Sequence, residues 1–260
     1  MMKVFAIANQ KGGVGKTSVA VNLSATLAHY GQRVLLIDLD PQGNATTGSG
    51  IEKNTLEKTI YGALLGDHNI AAARVHADAG YDVLPANREL AGAEIELVNV
   101  EEREFRLKHA LRAVAEDYDF AVIDCPPALN MLTVNALTAA SSVIIPMQCE
   151  YYALEGLSDL VGTLRKVKGN LNPEIEIEAL VRTMYDPRSS LTAQVSAEIK
   201  SHFGDKVFNT VIPRNVRIAE APSFGKPVIL HDPTSKGAQA HFAFARELLD
   251  RQGIAIKEAA

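Results

Sequence analysis

Residues 11–17 read KGGVGKT, and with Gln10 in the first position the run fits a relaxed GxxxxGKT. Those residue types at that spacing suit a polyphosphate. Gly12, Gly13 and Gly15 let the backbone turn tightly and bring its N–H groups, with that of Val14, to phosphate oxygens. A helix beginning at Lys16 points its positive end at the same charge, with Ser18 in its first turn. Lys16 then reaches the β- and γ-phosphates, and the Thr17 hydroxyl binds Mg²⁺. The run lies between a strand-like VFAIAN and a helical stretch, the context in which this motif carries meaning. A second site supports it: FAVIDCPP at 120–127 is an apolar strand ending in Asp124. Such an aspartate orients a water of the Mg²⁺ shell, although a strand-terminal aspartate also caps turns for structural reasons alone. The chemistry implied is Mg²⁺-assisted phosphoryl transfer from ATP.

Several short β-branched runs could position these groups: 4–8, 34–37, 120–123, 143–145, 175–181 and 207–212. Most lack alternation, as strands covered on both faces do. Between them, Val19, Leu23 and Leu27 share one helical face ahead of Gly31, and Leu154, Leu157, Val161 and Leu164 repeat the pattern. The alternation predicts a doubly wound α/β fold with a mostly parallel sheet flanked by helices. Residues 41–54, rich in Gly, Thr, Ser and Asn, read as a mobile loop beside the nucleotide. Residues 235–250 read as a closing helix with Phe242, Ala245, Leu248 and Leu249 inward, followed by a polar KEAA tail.

With 260 residues, 47% of them apolar, the chain can bury one sizeable core, and no linker or repeat divides residues 1–260. A net charge of −5 argues against a protein that coats nucleic acid with its whole surface, leaving a local basic face open. Cys125 and Cys149 form no CxxC pair or disulfide framework, which fits a reducing cytosol. The run from Met1 into the first strand leaves no room for a signal peptide, and no apolar stretch approaches the roughly 18 residues needed to span a bilayer. A cytoplasmic protein without a membrane partner is expected.

With Lys11 as well as Lys16, the loop resembles the deviant Walker A motif of the ParA/MinD class of ATPases. LIDLDPQGNAT at 36–46, VIDCPP at 122–127, TMYDPR at 183–188 and IPRNVRIAEAPSFGKPV at 212–228 together resemble the ParA/Soj chromosome-partitioning proteins over nearly the whole chain. The resemblance implies that Lys11 crosses an ATP-dependent homodimer interface to the partner's phosphates. Physically this is an arginine-finger arrangement, coupling nucleotide occupancy to dimerisation. It assigns Asp40 to positioning the attacking water, and Asp38, two positions earlier, would share its strand face and aim at the metal region. It assigns Pro213 and Asn215 to the purine, and Arg188 and Arg217 to non-specific double-stranded DNA. Lys166, Lys168, Lys200, Arg214 and Lys226 are further cationic candidates, with scattered solvated charges as the alternative. A ParB-type protein bound at a centromere-like site would stimulate slow hydrolysis and release from the nucleoid.

Three other readings share the fold. A MinD-like membrane switch needs a basic amphipathic C-terminal helix, and RQGIAIKEAA at 251–260 is short and weakly amphipathic. A nitrogenase-iron-protein-like reductase needs cluster-binding cysteines that Cys125 and Cys149 do not match. A metabolic ATP-dependent ligase, resembling dethiobiotin synthetase, would turn over ATP with a small substrate and need no DNA. A plasmid-type N-terminal operator-binding domain is not expected ahead of the first strand.

Overall fold

The computed structural model describes residues 2–256. Among them one sheet has eight strands: β1 (Lys3–Ile7), β2 (Val34–Asp38), β3 (Val75–His76), β4 (Asp82–Leu84), β5 (Phe120–Asp124), β6 (Ser142–Gln148), β7 (Glu176–Tyr185) and β8 (Val207–Pro213). Their order is β3-β4-β2-β5-β1-β6-β7-β8. Every neighbouring pair is parallel except β3 with β4.

β1, β2 and β5 read as unbroken apolar runs because both sheet faces are covered. Along β1, Val4 and Ala6 enter one core cluster with Leu35 and Ile37, while Phe5 and Ile7 enter the other with Val34 and Leu36. Period-two alternation thus divides core between core and not core from solvent. Truncating a side chain such as Leu36, which is wholly buried, costs about 2–5 kcal/mol. The helix Lys16–His29 lies on the second face and packs on the C-terminal helix Lys236–Arg251.

Four local expectations change. β3 and β4 are too short, at two and three residues, to stand out as apolar runs. β7 runs beyond Val181 through Arg182 to Tyr185, because the two terminal nitrogens of the buried guanidinium donate to the Ser196 hydroxyl at 2.8 Å and to the carbonyls of Phe208 at 2.6 Å and Asn209 at 2.9 Å, leaving only its Nε without a partner. Residues 41–54 contain the helix Asn44–Gly48, with Ala45 and Thr46 wholly buried, so much of this segment is packed and not loose. In the C-terminal helix, Ala245, Leu248 and Leu249 are buried, but Phe242 is only partly covered, edge-on to His29; Phe244 and His241 are buried as fully as the first three. That helix ends at Arg251, and Ile254 and Ile256 pack against the core. The KEAA tail lies outside the described residues, and among those described no helix is long and apolar enough to cross a membrane.

Candidate nucleotide site

The glycine-rich loop leaves the C-terminal end of central β1, where parallel sheets gather their ligands. Its entry is braced by Asn9, whose amide donates to the Pro146 carbonyl at 2.8 Å while its side-chain oxygen accepts the Lys11 N–H at 3.0 Å. Gly13 and Gly15 have φ of 74° and 89°, a region that strains any residue with a Cβ. Two loop carbonyls are held by neighbouring strands: the Thr183 hydroxyl donates to Val14 O at 2.7 Å, and the Gln148 amide to Gly13 O at 3.0 Å. Gly15 caps the helix without a side-chain hydrogen bond, and no acidic residue stands in the first turn. The helix N-terminus therefore keeps its positive end for an external anion.

Lys16 is 7% exposed, and its nearest polar partner is the Lys11 carbonyl at 3.4 Å. Burial lowers its pKa, opposed by the charges of Asp124, Cys125 and Asp40. A phosphate would supply the close counter-charge that this buried ammonium lacks.

Register sets the carboxylates. Asp124 at the end of β5 pairs with Ile7 of β1 on one side and Asp38 of β2 on the other. Both aspartates are fully buried, yet their surroundings differ. Asp38 accepts the Thr46 N–H at 2.8 Å, the Thr46 hydroxyl at 2.7 Å and the Asp40 N–H at 3.1 Å. Neither Asp124 oxygen has a hydrogen-bond partner of ordinary geometry. Burial raises both pKa values, that of Asp38 to about 6 against the pull of its bonds to Thr46. Asp124 is raised further by the Asp38 charge, and the nearby Thr17 hydroxyl only partly offsets this.

An orphaned buried carboxylate beside a serviceable hydroxyl fits a hydrated Mg²⁺, whose charge would reverse the upward shift. Among the described residues no three His, Cys, Asp or Glu side chains converge as a metal cage. That suits Mg²⁺, which keeps several waters and takes its other oxygens from phosphates. Asp40 departs from the shared-face expectation because β2 stops at Asp38: its amide turns back to Asp38, its carboxylate accepts the Gln42 N–H at 2.9 Å, and it is half-exposed. Asp38 is tied inward, whereas Asp40 is the carboxylate with access to solvent.

Lys11 takes a different direction from Lys16. Its Nζ lies 2.6 Å from Glu150 Oε2, with the two side chains 43% and 49% exposed. Next to Gly15 and Ser18 a cavity of about 250 Å³ is lined by Thr183, Met184, Ile212, Pro213, Asn215 and His241, among others. Pro213 and Asn215 do come together there, although the Asn215 side chain also caps the helix Val216–Glu220 by accepting the Arg217 N–H at 2.9 Å. At the cavity Met184 holds φ at 48°, an uncommon conformation for a side chain of its length. Arg188 and Arg217 are exposed, and each is already paired: Arg188 with Asp186 at 2.9 Å, Arg217 with Glu220 and with Asp232 at 3.2 Å.

A family model described as an AAA domain matches residues 2–177. The sporulation initiation inhibitor protein Soj of Bacillus subtilis is 55% identical over 249 residues, 95% of this chain and 98% of that one. The chromosome partitioning protein ParA of Caulobacter vibrioides is 52% identical over 254 residues, 96% of this chain and 95% of that one. The chain belongs to the ParA/Soj family of chromosome-partitioning ATPases. The ParA/Soj fold also matches the crystal structure of cobyrinic acid a,c-diamide synthase from Mycobacterium smegmatis with bound ADP and magnesium, at TM-score 0.87 and 39% identity over 97% of this chain and 96% of that one.

In this ParA/Soj site, Asn9, Gln148, Glu150 and His241 carry no signal of their own in the sequence, and Thr46, Thr183 and Met184 fall within the stretches 36–46 and 183–188 that carry the resemblance without being singled out there. Gln148 ends β6 and Thr183 follows the apolar part of β7, positions where polarity reads as the strand stopping. Thr46, from the segment expected to be loose, also accepts the Ala86 N–H at 3.0 Å and ties the end of β2 to the chain after β4.

Proposed function

We propose that residues 1–260 act as one Mg²⁺-dependent ATP hydrolase domain that dimerises on ATP, binds double-stranded DNA without sequence preference, and is released when a ParB-type partner stimulates hydrolysis. Gly12 to Ser18 cradle the triphosphate, Lys16 neutralises its β- and γ-oxygens, Thr17 ligates the metal, and Asp124 with Asp38 behind it orders the metal's water. Asp40, free of the inward ties that hold Asp38, orients the attacking water. Pro213 and Asn215 line the base cavity. The output is a timed switch at the nucleoid in the cytoplasm, slow until the partner completes the geometry.

One observation carries the dimer reading. Lys16 is buried in its own site, while Lys11 of the same loop leads away to an exposed glutamate. A cation held at the rim by one exposed ion pair can be exchanged at little cost for a triphosphate on a second copy. The DNA surface rests on Arg188 and Arg217, whose present carboxylate partners would have to yield to phosphates; Arg188 has the single exposed pair with Asp186 to exchange, whereas Arg217 must leave both Glu220 and Asp232.

The test is gel filtration of the parent, Lys11→Ala and Asp40→Ala with ADP, ATP, and ATP plus DNA. The parent and Asp40→Ala are expected to dimerise with ATP and shift onto DNA, Asp40→Ala without turnover, and Lys11→Ala to stay monomeric. Equal dimer fractions for Lys11→Ala and the parent with a non-hydrolysable ATP would refute the role of Lys11. The likeness to a synthase keeps a small-molecule ATP-dependent ligase as a second reading. ATP turnover that ignores both DNA and a ParB-type protein would favour it.

A further inference from the structure

The cavity beside Gly15 and Ser18 is also lined by a residue that the glycine-loop motif does not describe, His241 of the C-terminal helix Lys236–Arg251. Gly237 and His241, four residues apart, stand on one face of that helix. At Gly237 the turn that carries Asn215 comes close. A Cβ there would lie 2.7 Å from Ile218 Cγ1 and 3.1 Å from Asn215 Oδ1. The helix is thereby pressed against the base loop, and one turn later the same face brings His241 to the cavity.

His241 is 0% exposed, and neither of its ring nitrogens has a hydrogen-bond partner. Of the polar neighbours in the same lining, the Thr183 hydroxyl donates to Val14 O and Asn215 Oδ1 accepts the Arg217 N–H, and none of them, Ser18 and Arg214 included, bonds to the His241 ring. The rest of the surroundings is largely apolar, with Val19, Ile212, Ile218 and Ala219 lining the cavity. A buried polar group left without a partner is costly, and native structures keep one where a ligand or water completes it. Burial lowers the His241 pKa to about 3, so the ring is neutral at physiological pH, with one nitrogen donating and the other accepting. No protein partner fixes which nitrogen carries the proton.

We propose that His241 is a base-contacting residue of the nucleotide site, giving the heterocyclic base a hydrogen bond from the C-terminal helix. The proposal deepens the reading of this cavity as the base site and rests on it. An unconstrained tautomer can meet either a donor or an acceptor on the base edge. His241 therefore secures a base without by itself dictating which purine is taken.

The experiment compares Mg²⁺-dependent binding of ATP, GTP and inorganic tripolyphosphate to the parent, His241→Phe and His241→Gln. Losing one buried hydrogen bond to the base is expected to weaken ATP binding to His241→Phe by about tenfold. Tripolyphosphate, which has no base, is expected to bind both proteins alike, and His241→Gln, which keeps a donor and an acceptor, to recover most of the loss. ATP analogues lacking N1, the exocyclic amine or N7 provide a check on the unaltered protein. One of them is expected to lose about tenfold on the parent and nothing further on His241→Phe. Parallel loss of ATP and tripolyphosphate, or unchanged ATP binding by His241→Phe, would overturn the proposal and leave His241 as a packing residue. Parent protein that binds tripolyphosphate as tightly as ATP and GTP would instead overturn the base-cavity reading itself, and this inference with it.

Discussion

Replacing Glu150 by Gln tests whether the outward lysine is held back by its own chain. The Lys11–Glu150 pair is short, at 2.6 Å, but its side chains are 43% and 49% exposed, so solvent screens it. Exposed pairs of this kind contribute ~0.2–1 kcal/mol. A symmetric dimer in which each Lys11 reaches across must break two such pairs, so Glu150→Gln would favour association by ~0.4–2 kcal/mol, between about twofold and thirtyfold in the dimer constant. The assay is sedimentation equilibrium with a non-hydrolysable ATP at low and high salt. Tighter association of the variant is expected at low salt, with the gap to the parent narrowing as salt screens the parent's pair. Equal or weaker association of Glu150→Gln at low salt would refute the idea that this ion pair competes with the dimer, and would place Glu150 among the groups that build the interface.

Asp124→Asn is expected to leave the ligand-free protein at least as stable as the parent in thermal unfolding, because it removes a buried carboxylate with no partner, while abolishing the stabilisation by Mg²⁺ and ATP. Because burial holds Asp38 and Asp124 above the ordinary carboxylate range, the folded chain keeps protons that the unfolded chain releases. Ligand-free stability is therefore expected to fall as pH rises from about 4 through about 6, and denaturant titrations across that window should show a smaller fall in Asp124→Asn. Gly15→Ala forces a Cβ onto φ of 89° and is expected to cost about 1 kcal/mol or more of stability, with loss of measurable ATP binding by calorimetry. Arg188→Ala and Arg217→Ala are each expected to lower the slope of log affinity against log salt for DNA by about 1 without changing ATP-driven dimerisation.

Much of the phosphate site could be read along the chain because its parts are contiguous. Three glycines, a Lys-Thr pair and a flanking strand and helix lie within a short stretch, and the backbone conformations they require are local properties. The strands were legible for a similar reason: burial on both faces demands apolar residues at every position, and β1, β2 and β5 supply them. Local rules gave less where a polar group continues an element. β7 carries the buried Arg182 because Ser196 and the carbonyls of Phe208 and Asn209, remote in sequence, receive its guanidinium. Residues 41–54 look loose by composition and are instead fixed by Thr46, which bonds to Asp38 and to the chain after β4.

The sequence by itself determined that a glycine-rich loop of the phosphate-binding pattern follows a buried strand, that an aspartate ends a second buried strand, and that two lysines flank the glycines. Only the tertiary structure decided what each charged group faces. Strand register set Asp38 beside Asp124 and left one satisfied and the other without a partner. The fold also turned Lys11 toward Glu150 and brought His241, more than two hundred residues from the glycine loop, to the same cavity. Residue types and backbone preferences are written along the chain, whereas burial and hydrogen-bond partners arise from contacts between distant segments, and it is these that fix the charge and the reach of a functional side chain.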